Sequence, residues 1–335
     1  MKSLRFLVIL SLVLNACSNE LDLTTTWKDI PIVYGIISRQ DTAHYLRIEK
    51  AFLDPKVNAF VLAKNPDSLY YDNALVQIVR PSRNETITLQ KVDASLEGYG
   101  RDEGVFATAP NYLYKMQLPR GAELESGEKL NLVVTRGDDS SPARATTTVL
   151  ADFTFISGQP GDVINWSEYQ RDIRISWRPE GEAAVYDVKF YILIEESSTG
   201  INGPFVPKTL EWQVATNFIR PSSNEQRVGI TVEGIAFYNF LKSSLEASSS
   251  TIRRFKSLDV EVTAGGNELL EYINIRRANT GITSSQEIPT YSNVEGGLGL
   301  LSSKNRILKT GLTITSASKD SLFDGVITRD LNFRD

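Results

Sequence analysis

Short runs of alternating apolar and polar residues, separated by turns, are the feature of this 335-residue sequence that most restricts its fold. Leu46 and Ile48 share one face of a predicted strand, and Tyr114 and Met116 repeat the pattern. Successive side chains of a strand point to opposite faces, so such alternation indicates strands with one buried face. About seven runs of this kind, with turns at short intervals, are typical of a β-sandwich. We predict an N-terminal β-sandwich over residues 27–152.

A turn-rich stretch at residues 157–161 marks a domain boundary. Beyond it, Ile175 and Trp177 alternate with polar residues, a turn follows, and residues 186–192 alternate again. This order resembles the fibronectin type III pattern, which describes a fold and is silent on function. We therefore predict an all-β protein with two tandem Ig-like or fibronectin-type-III-like β-sandwiches, the second over residues 158–330.

Two segments depart from the strand pattern. Apolar residues recur at helical spacing over residues 235–245, which predicts one helix at 234–247 within the second sandwich. Its aromatic stripe packs into the core or docks a partner, and core packing is the favoured interpretation. The other segment is a long insertion at residues 53–71.

The insertion carries apolar and aromatic residues without a strand pattern of their own, namely Phe60, Leu62, Tyr70 and Tyr71. Long loops of this kind are often functional. Apolar and aromatic residues on a protein surface often become the buried centre of an interface when a partner binds. These four residues are therefore candidate partner contacts. The alternative is that they fold back onto the first sandwich.

The N-terminus has the layout of a bacterial signal peptide. After a basic start, the apolar run over residues 6–14 is shorter than the roughly 20 residues that a membrane span needs. The following sequence, Leu14-Asn15-Ala16-Cys17, resembles the lipobox of bacterial lipoproteins. That resemblance implies removal of residues 1–16, lipid attachment at Cys17 and a tether over residues 17–26. The alternative is an ordinary secretory signal with an incidental cysteine.

The residues after Cys17 bear on location. Ser18 in place of an aspartate favours the outer membrane, and Glu20 and Asp22 resemble a surface-export signal. We predict a lipid-anchored outer-membrane protein that faces either the cell exterior or the periplasm.

Three stretches carry a family resemblance. Residues 33–48, residues 237–241 and the run at residues 291–299, which contains Ser-Asn-Val-Glu-Gly-Gly-Leu-Gly, resemble the Bacteroidota envelope lipoproteins grouped as domain of unknown function 4249. The resemblance implies a cell-envelope location and an association with TonB-dependent receptors. It implies no biochemical activity.

The residues that catalysis or metal binding needs are scarce. His44 is the only histidine and Cys17 the only cysteine, so a nucleophile–histidine pair or a zinc site has almost no candidate residues. His44 lies at the start of a predicted strand and shares the parity of Leu46 and Ile48, which predicts an edge or partly packed side chain and no catalytic base. We therefore predict no catalytic residues, no metal and no cofactor.

The charge balance restricts the class of partner. The chain has 41 acidic and 36 basic residues, and removal of residues 1–16 makes it more acidic. Nucleic-acid binding needs clusters of lysine and arginine, so we expect no nucleic-acid partner. The sequence favours a non-enzymatic accessory or binding lipoprotein. The alternative is a carboxylate-based hydrolase that acts on glycans, which needs two facing acids about 5 to 10 Å apart in a cleft.

Two short motifs have competing interpretations. The glycine run 296–299 lacks the flanking residues of a phosphate-binding loop, so we predict close backbone packing or a bulge beside a strand. Thr42, Ser68 and Ser321 lie in tripeptides that resemble bacterial O-glycosylation acceptors, and each would have to be exposed to serve as one.

Overall fold

A computed structural model describes residues 29–51, 58–138, 140–156, 163–279 and 290–335 of the chain. Strands account for 45% of the structure, which confirms the predicted all-β fold. The strands are β1 (Ile30–Ile37), β2 (Ala43–Ala51), β3 (Leu75–Arg80), β4 (Glu85–Thr88), β5 (Gln90–Asp93), β6 (Tyr112–Gln117), β7 (Lys129–Thr135), β8 (Ala143–Thr148), β9 (Thr154–Phe155), β10 (Val163–Ile164), β11 (Ile173–Arg178), β12 (Val185–Ser197), β13 (Val206–Ile219), β14 (Val228–Val232), β15 (Ile252–Gly265), β16 (Val294–Glu295) and β17 (Leu298–Ile314).

Helices are short and few. The α-helices are α1 (Ala59–Ala63), α2 (Pro66–Leu69), α3 (Gly234–Ser244), α4 (Asn267–Asn279) and α5 (Ser316–Phe323). Single 3₁₀ turns lie at Pro81–Arg83, Ala94–Glu97, Ser167–Tyr169 and Arg329–Leu331. The helix predicted at 234–247 is α3, whereas α4 and α5 were not predicted.

The described strands form three sheets. A nine-stranded sheet has the order β13-β12-β15-β17-β1-β2-β6-β5, with β10 paired to one end of β17. A five-stranded sheet, β16-β8-β7-β3-β4, packs over its N-terminal part, and a three-stranded sheet, β14-β11-β9, belongs to the C-terminal half. Both halves of the chain therefore contribute to one continuous sheet.

Strand β17 joins the two halves. Its first residues pair in parallel with β1, from Leu298 opposite Ile32 to Ser303 opposite Ile37. The rest of β17, from Lys304 onward, pairs antiparallel with β15. Because one 17-residue strand serves both halves, the main sheet has no break between them.

Two hydrophobic cores fill the space between the sheets. The first contains Val33, Leu46 and Leu132, all fully or almost fully buried, and it also takes in Val294 and Leu301 from the C-terminal half. The second core extends from Leu150 to Phe333. The N-terminal core therefore includes residues that the sequence analysis assigned to the second sandwich.

Helix α3 belongs to the second core. Its Phe237 ring stacks on Trp166 with a centroid separation of 4.4 Å. The neighbouring Tyr238 is fully buried and donates a hydrogen bond to the backbone oxygen of Ser318, 3.0 Å away. The aromatic stripe of this helix is thus a core element, as the favoured interpretation predicted.

The glycine run permits a close approach between backbones at the start of β17. A Cβ atom at Gly299 would lie 1.8 Å from the carbonyl oxygen of Val33, and the residue has a φ of +124°. Only glycine adopts such a conformation without severe strain. The predicted close packing beside a strand is confirmed here, and it places β17 against β1.

Candidate functional site

The predicted membrane anchor lies outside the described residues. Residues 1–28, which include the signal sequence and Cys17, are not described, so lipid attachment stays a prediction. Within the described ranges, no helix combines the length and apolar character that crossing a bilayer requires.

The insertion folds into two short capped helices after its first residues, which lie outside the described ranges. The Asn58 side chain accepts a hydrogen bond from the backbone N–H of Phe60 at the start of α1. Asn65 caps α2 in the same way, and Pro66 occupies its first turn. Asparagine caps and an initial proline are typical helix-start signals, so local sequence sets this structure.

Two of the four predicted contact residues are buried. Tyr70 is 3% exposed, forms a small satellite core with Leu69 and Ala107, and donates a hydrogen bond to the backbone oxygen of Pro110 at 3.1 Å. Tyr71 is 6% exposed and packs in the first core, where burial raises its pKa to about 12. The prediction that Tyr70 and Tyr71 contact a partner is therefore wrong, because both stabilise the first sandwich.

The other two residues lie on α1. Leu62 is half-buried, whereas the Phe60 side chain is 67% exposed. Its neighbour Val61 is also exposed. Of the four predicted contact residues, Phe60 is therefore exposed and Leu62 is partly accessible.

Phe60 and Val61 on α1 are exposed apolar residues, and so are Val105 and Phe106 on the 104–107 loop. The backbone N–H of Ala107 donates to the carbonyl oxygen of Ala63 at 2.8 Å, which holds the 104–107 loop beside α1. We call these four residues the apolar patch. The sequence did not indicate Val105 and Phe106, because they stand in a polar loop without periodicity.

The nine-stranded sheet carries a groove on the face turned away from the first core. The groove has a volume of about 820 Å³ and lies where β1, β2, β6 and β17 meet. Its lining includes Ile36, Asp41, Thr42, Tyr45, Tyr99, Leu113, Lys115, Gln117 and Lys304. Tyr45 opposes Lys115 and Ala43 opposes Gln117 across the β2–β6 pair, so these side chains share one face.

Tyr45 and Tyr99 form the aromatic wall of the groove. Their ring centroids are 5.1 Å apart and their planes are tilted by 51°. The Tyr45 hydroxyl donates a hydrogen bond to Glu97, and the Lys115 ammonium donates to the same carboxylate at 2.7 Å. That hydrogen bond lowers the pKa of Glu97 and raises the pKa of Lys115, so both groups stay charged near neutral pH.

The opposite end of the groove is polar. The β1–β2 turn is held to β17 because Gln40 donates to the backbone oxygen of Arg306 at 2.7 Å. The Lys304 ammonium makes no hydrogen bond or ion pair with any described residue, and Lys304 also lines two adjoining cavities of about 230 and 200 Å³. Asp41 lines the first two of these three spaces.

His44 also borders the groove, although its ring is 3% exposed. Neither ring nitrogen has a hydrogen-bond partner among the described residues. Burial lowers the pKa of His44, and the nearby Asp41 charge opposes that effect in part. His44 is therefore a packed residue, and it is buried more completely than the edge or partly packed position that its strand parity predicted.

The carboxylates near the groove bear on the hydrolase alternative. Asp41 and Glu261 line the same 230 Å³ cavity. Glu261 is paired with the Arg306 guanidinium at 3.2 Å, which holds its charge in an ion pair. Within the described residues, no group of three or more His, Cys, Asp or Glu side chains is arranged to hold a metal ion.

The three predicted O-glycosylation acceptors differ in accessibility. Thr42 is exposed at the groove, whereas Ser68 and Ser321 are half-buried. Modification of any of them stays a prediction.

The fold defines an all-β sandwich protein, and one face of its main sheet carries the open groove. No family model and no curated protein matches the sequence. Solved structures similar to the chain include a 1.5-MDa bacterial ice-binding adhesin, with 12% identity and a TM-score of 0.18 over 86% of this chain and 66% of that one. CBD12 from CALX1.2 matches with 10% identity and a TM-score of 0.19 over 73% of this chain and 87% of that one. These scores are too low to support an argument about function.

Proposed function

We propose that this chain is a non-enzymatic, lipid-anchored outer-membrane protein that acts by binding another component of the cell envelope. The exposed apolar patch on α1 and the 104–107 loop is the observation that supports this proposal most directly. The family resemblance in the sequence suggests a TonB-dependent receptor or a similar outer-membrane assembly as the partner.

The patch has the composition of an interface centre. Phe60 and Val61 are 67% and 62% exposed, and Val105 and Phe106, on the loop that is held beside α1, are 47% and 40% exposed. Exposed apolar side chains gathered at one site are unfavourable in water unless a partner covers them. Aromatic residues with charged neighbours are typical of binding surfaces, and the Arg101 guanidinium lies over the Phe106 ring at 4.6 Å.

Co-purification tests the contact. The tagged chain, extracted from membranes with detergent, is expected to recover one envelope protein, and the double substitution Phe60→Ser with Val61→Ser is expected to reduce its yield at least tenfold. A matched control is Val206→Ser, because Val206 is equally exposed but lies on β13 in the other half. Equal recovery by the double variant would remove the patch from the proposal.

The anchor has its own test. The Cys17→Ala form is expected to lose acyl labelling and to move from the membrane fraction to the soluble fraction. An unchanged membrane fraction would favour the ordinary secretory signal with an incidental cysteine. Protease treatment of intact cells then distinguishes the exterior from the periplasmic face.

A further inference from the structure

The groove on the nine-stranded sheet shares no lining residue with the apolar patch, and its lining points to a different class of ligand. One wall is apolar and aromatic, with Tyr45, Tyr99 and Leu113. The rest is polar, with the Thr42 hydroxyl and the Gln117 amide. The volume of about 820 Å³ falls in the range of about 300 to 1,000 Å³ that is usual for small-ligand sites.

The two kinds of wall match the two kinds of surface on a sugar ring. A pyranose presents C–H groups on its faces and hydroxyl groups around its edge. Aromatic rings pack against the C–H faces, and amides, hydroxyls and ammonium groups satisfy the edge hydroxyls, which would otherwise lose their hydrogen bonds to water. A wholly apolar ligand would leave the polar wall without partners.

The aromatic wall is held in place before any ligand arrives. The backbone of Tyr99 is fixed on both sides, because its N–H donates to the Ala94 oxygen at 2.9 Å and its oxygen accepts from the Asn111 amide at 2.8 Å. The Tyr99 side chain itself is 55% exposed. Because the backbone is already fixed and the ring packs against Tyr45, binding has to order only side chains here, which favours affinity.

An extended peptide fits the groove less well. Peptides that bind sheets usually add a strand to a free edge. The strands beneath the groove, β17, β1, β2 and β6, lie inside the sheet and not at either outer edge. The groove therefore opens on a face of the sheet, where side chains form most of its lining.

We propose that this groove binds a neutral oligosaccharide, with Tyr99 and Tyr45 stacked against sugar faces and with Gln117, Thr42 and Lys304 bonded to hydroxyl groups. Lys304 suits this role because its ammonium donors are unused by the described residues, and the carboxylate of Asp41 nearby disfavours an acidic ligand. The proposal does not depend on the envelope partner, because a separate surface carries that contact.

The test uses the full mature chain in detergent micelles on a printed array of defined neutral and acidic oligosaccharides, followed by titration calorimetry with the best neutral ligand. We expect binding to neutral members, and we expect Tyr99→Ala to weaken it at least tenfold, because the exposed ring contributes contact and little to the fold. Gln117→Ala should weaken it by a smaller factor. Circular dichroism confirms that each variant is folded.

Phe60→Ala is the matched control, since it removes an exposed aromatic ring outside the groove. We expect it to leave glycan affinity unchanged, whereas Tyr99→Ala should leave recovery of the envelope partner unchanged. No binding to any neutral member of the array, or equal affinity in Tyr99→Ala, would overturn the glycan site. A preference for acidic glycans, or capture of peptides lost in Tyr99→Ala, would overturn the stated ligand class. Cleavage of the bound glycan would instead contradict the non-enzymatic function while it supports the site.

Discussion

His44 links the stability of the first sandwich to pH. The ring is buried without a hydrogen-bond partner among the described residues, and burial lowers its pKa from the ordinary value of 6.5. The unfolded chain therefore binds a proton more readily than the folded chain does. Stability from this group is fully present above pH 6.5 and is lost as the pH falls below that value toward the folded-state pKa.

We expect the free energy of unfolding to decrease as the pH falls below 6.5, and His44→Leu to flatten that part of the curve. Urea unfolding of the mature chain at a series of pH values measures both. Because His44 is the only histidine, no other imidazole contributes. An equally steep curve for the Leu variant would assign the effect to other groups.

For single residues, the sequence allowed correct predictions where the position of a residue depends on its immediate neighbours. The parity of His44 with Leu46 predicted an edge or partly packed side chain, and the glycine run predicted close backbone packing or a bulge. Tyr70 packs with Ala107 and Tyr112, and Tyr71 packs in the first core. These contacts are distant in sequence, so no local pattern distinguished a partner contact from a buried residue.

At the scale of elements, β17 depends on Gly299. A Cβ atom there would overlap the Val33 carbonyl oxygen, and a φ of +124° is strained for any other residue. We expect Gly299→Ala to destabilise the protein by about 3 kcal/mol or more, because β17 must move away from β1. Chemical denaturation provides the measurement.

Gly100→Ala is the control for this prediction, since a Cβ atom at Gly100 would meet nothing within 4 Å. Its effect should stay within about 0.5 kcal/mol. Similar losses for both variants would mean that the Gly299 approach is not what holds the two strands.

Strand β17 and helix α4 lack a clear sequence pattern for a physical reason. Residues 300–303 of β17 are buried in succession, because the sheet packs on one face and α4 covers the other. The Ser302 hydroxyl donates a hydrogen bond to the Glu268 carboxylate of α4 at 3.0 Å, which is a direct contact between the helix and the strand. A strand buried on both faces loses its alternation, and the half-buried apolar residues of α4 do not form a single stripe.

At the scale of the whole molecule, the two halves share a sheet and should not fold independently. A fragment of residues 27–152 would lack β16 and β17, which pair with β8 and β1. Both sheets of the first sandwich would then have an unpaired edge. We expect this fragment to aggregate or to lack a cooperative unfolding transition. A dispersed NMR spectrum with cooperative unfolding would contradict this expectation.

The overall architecture also explains why the groove could not be predicted. Its lining comes from β1, β2 and β6 of the N-terminal half and from β17 of the C-terminal half. Lys304 and Tyr45 meet only because β17 pairs with β1, a long-range parallel contact that no sequence period encodes. The all-β class followed from local alternation, whereas the joining of the halves did not.

Photocrosslinking in living cells is the most direct test of the central claim that this chain acts by contact through its apolar patch. A photoreactive phenylalanine analogue at position 60 is compared with the same analogue at position 206, which is equally exposed in the other half. We predict one discrete envelope-protein adduct from position 60 and none from position 206. No adduct at position 60, or the same adducts from both positions, would contradict the claim.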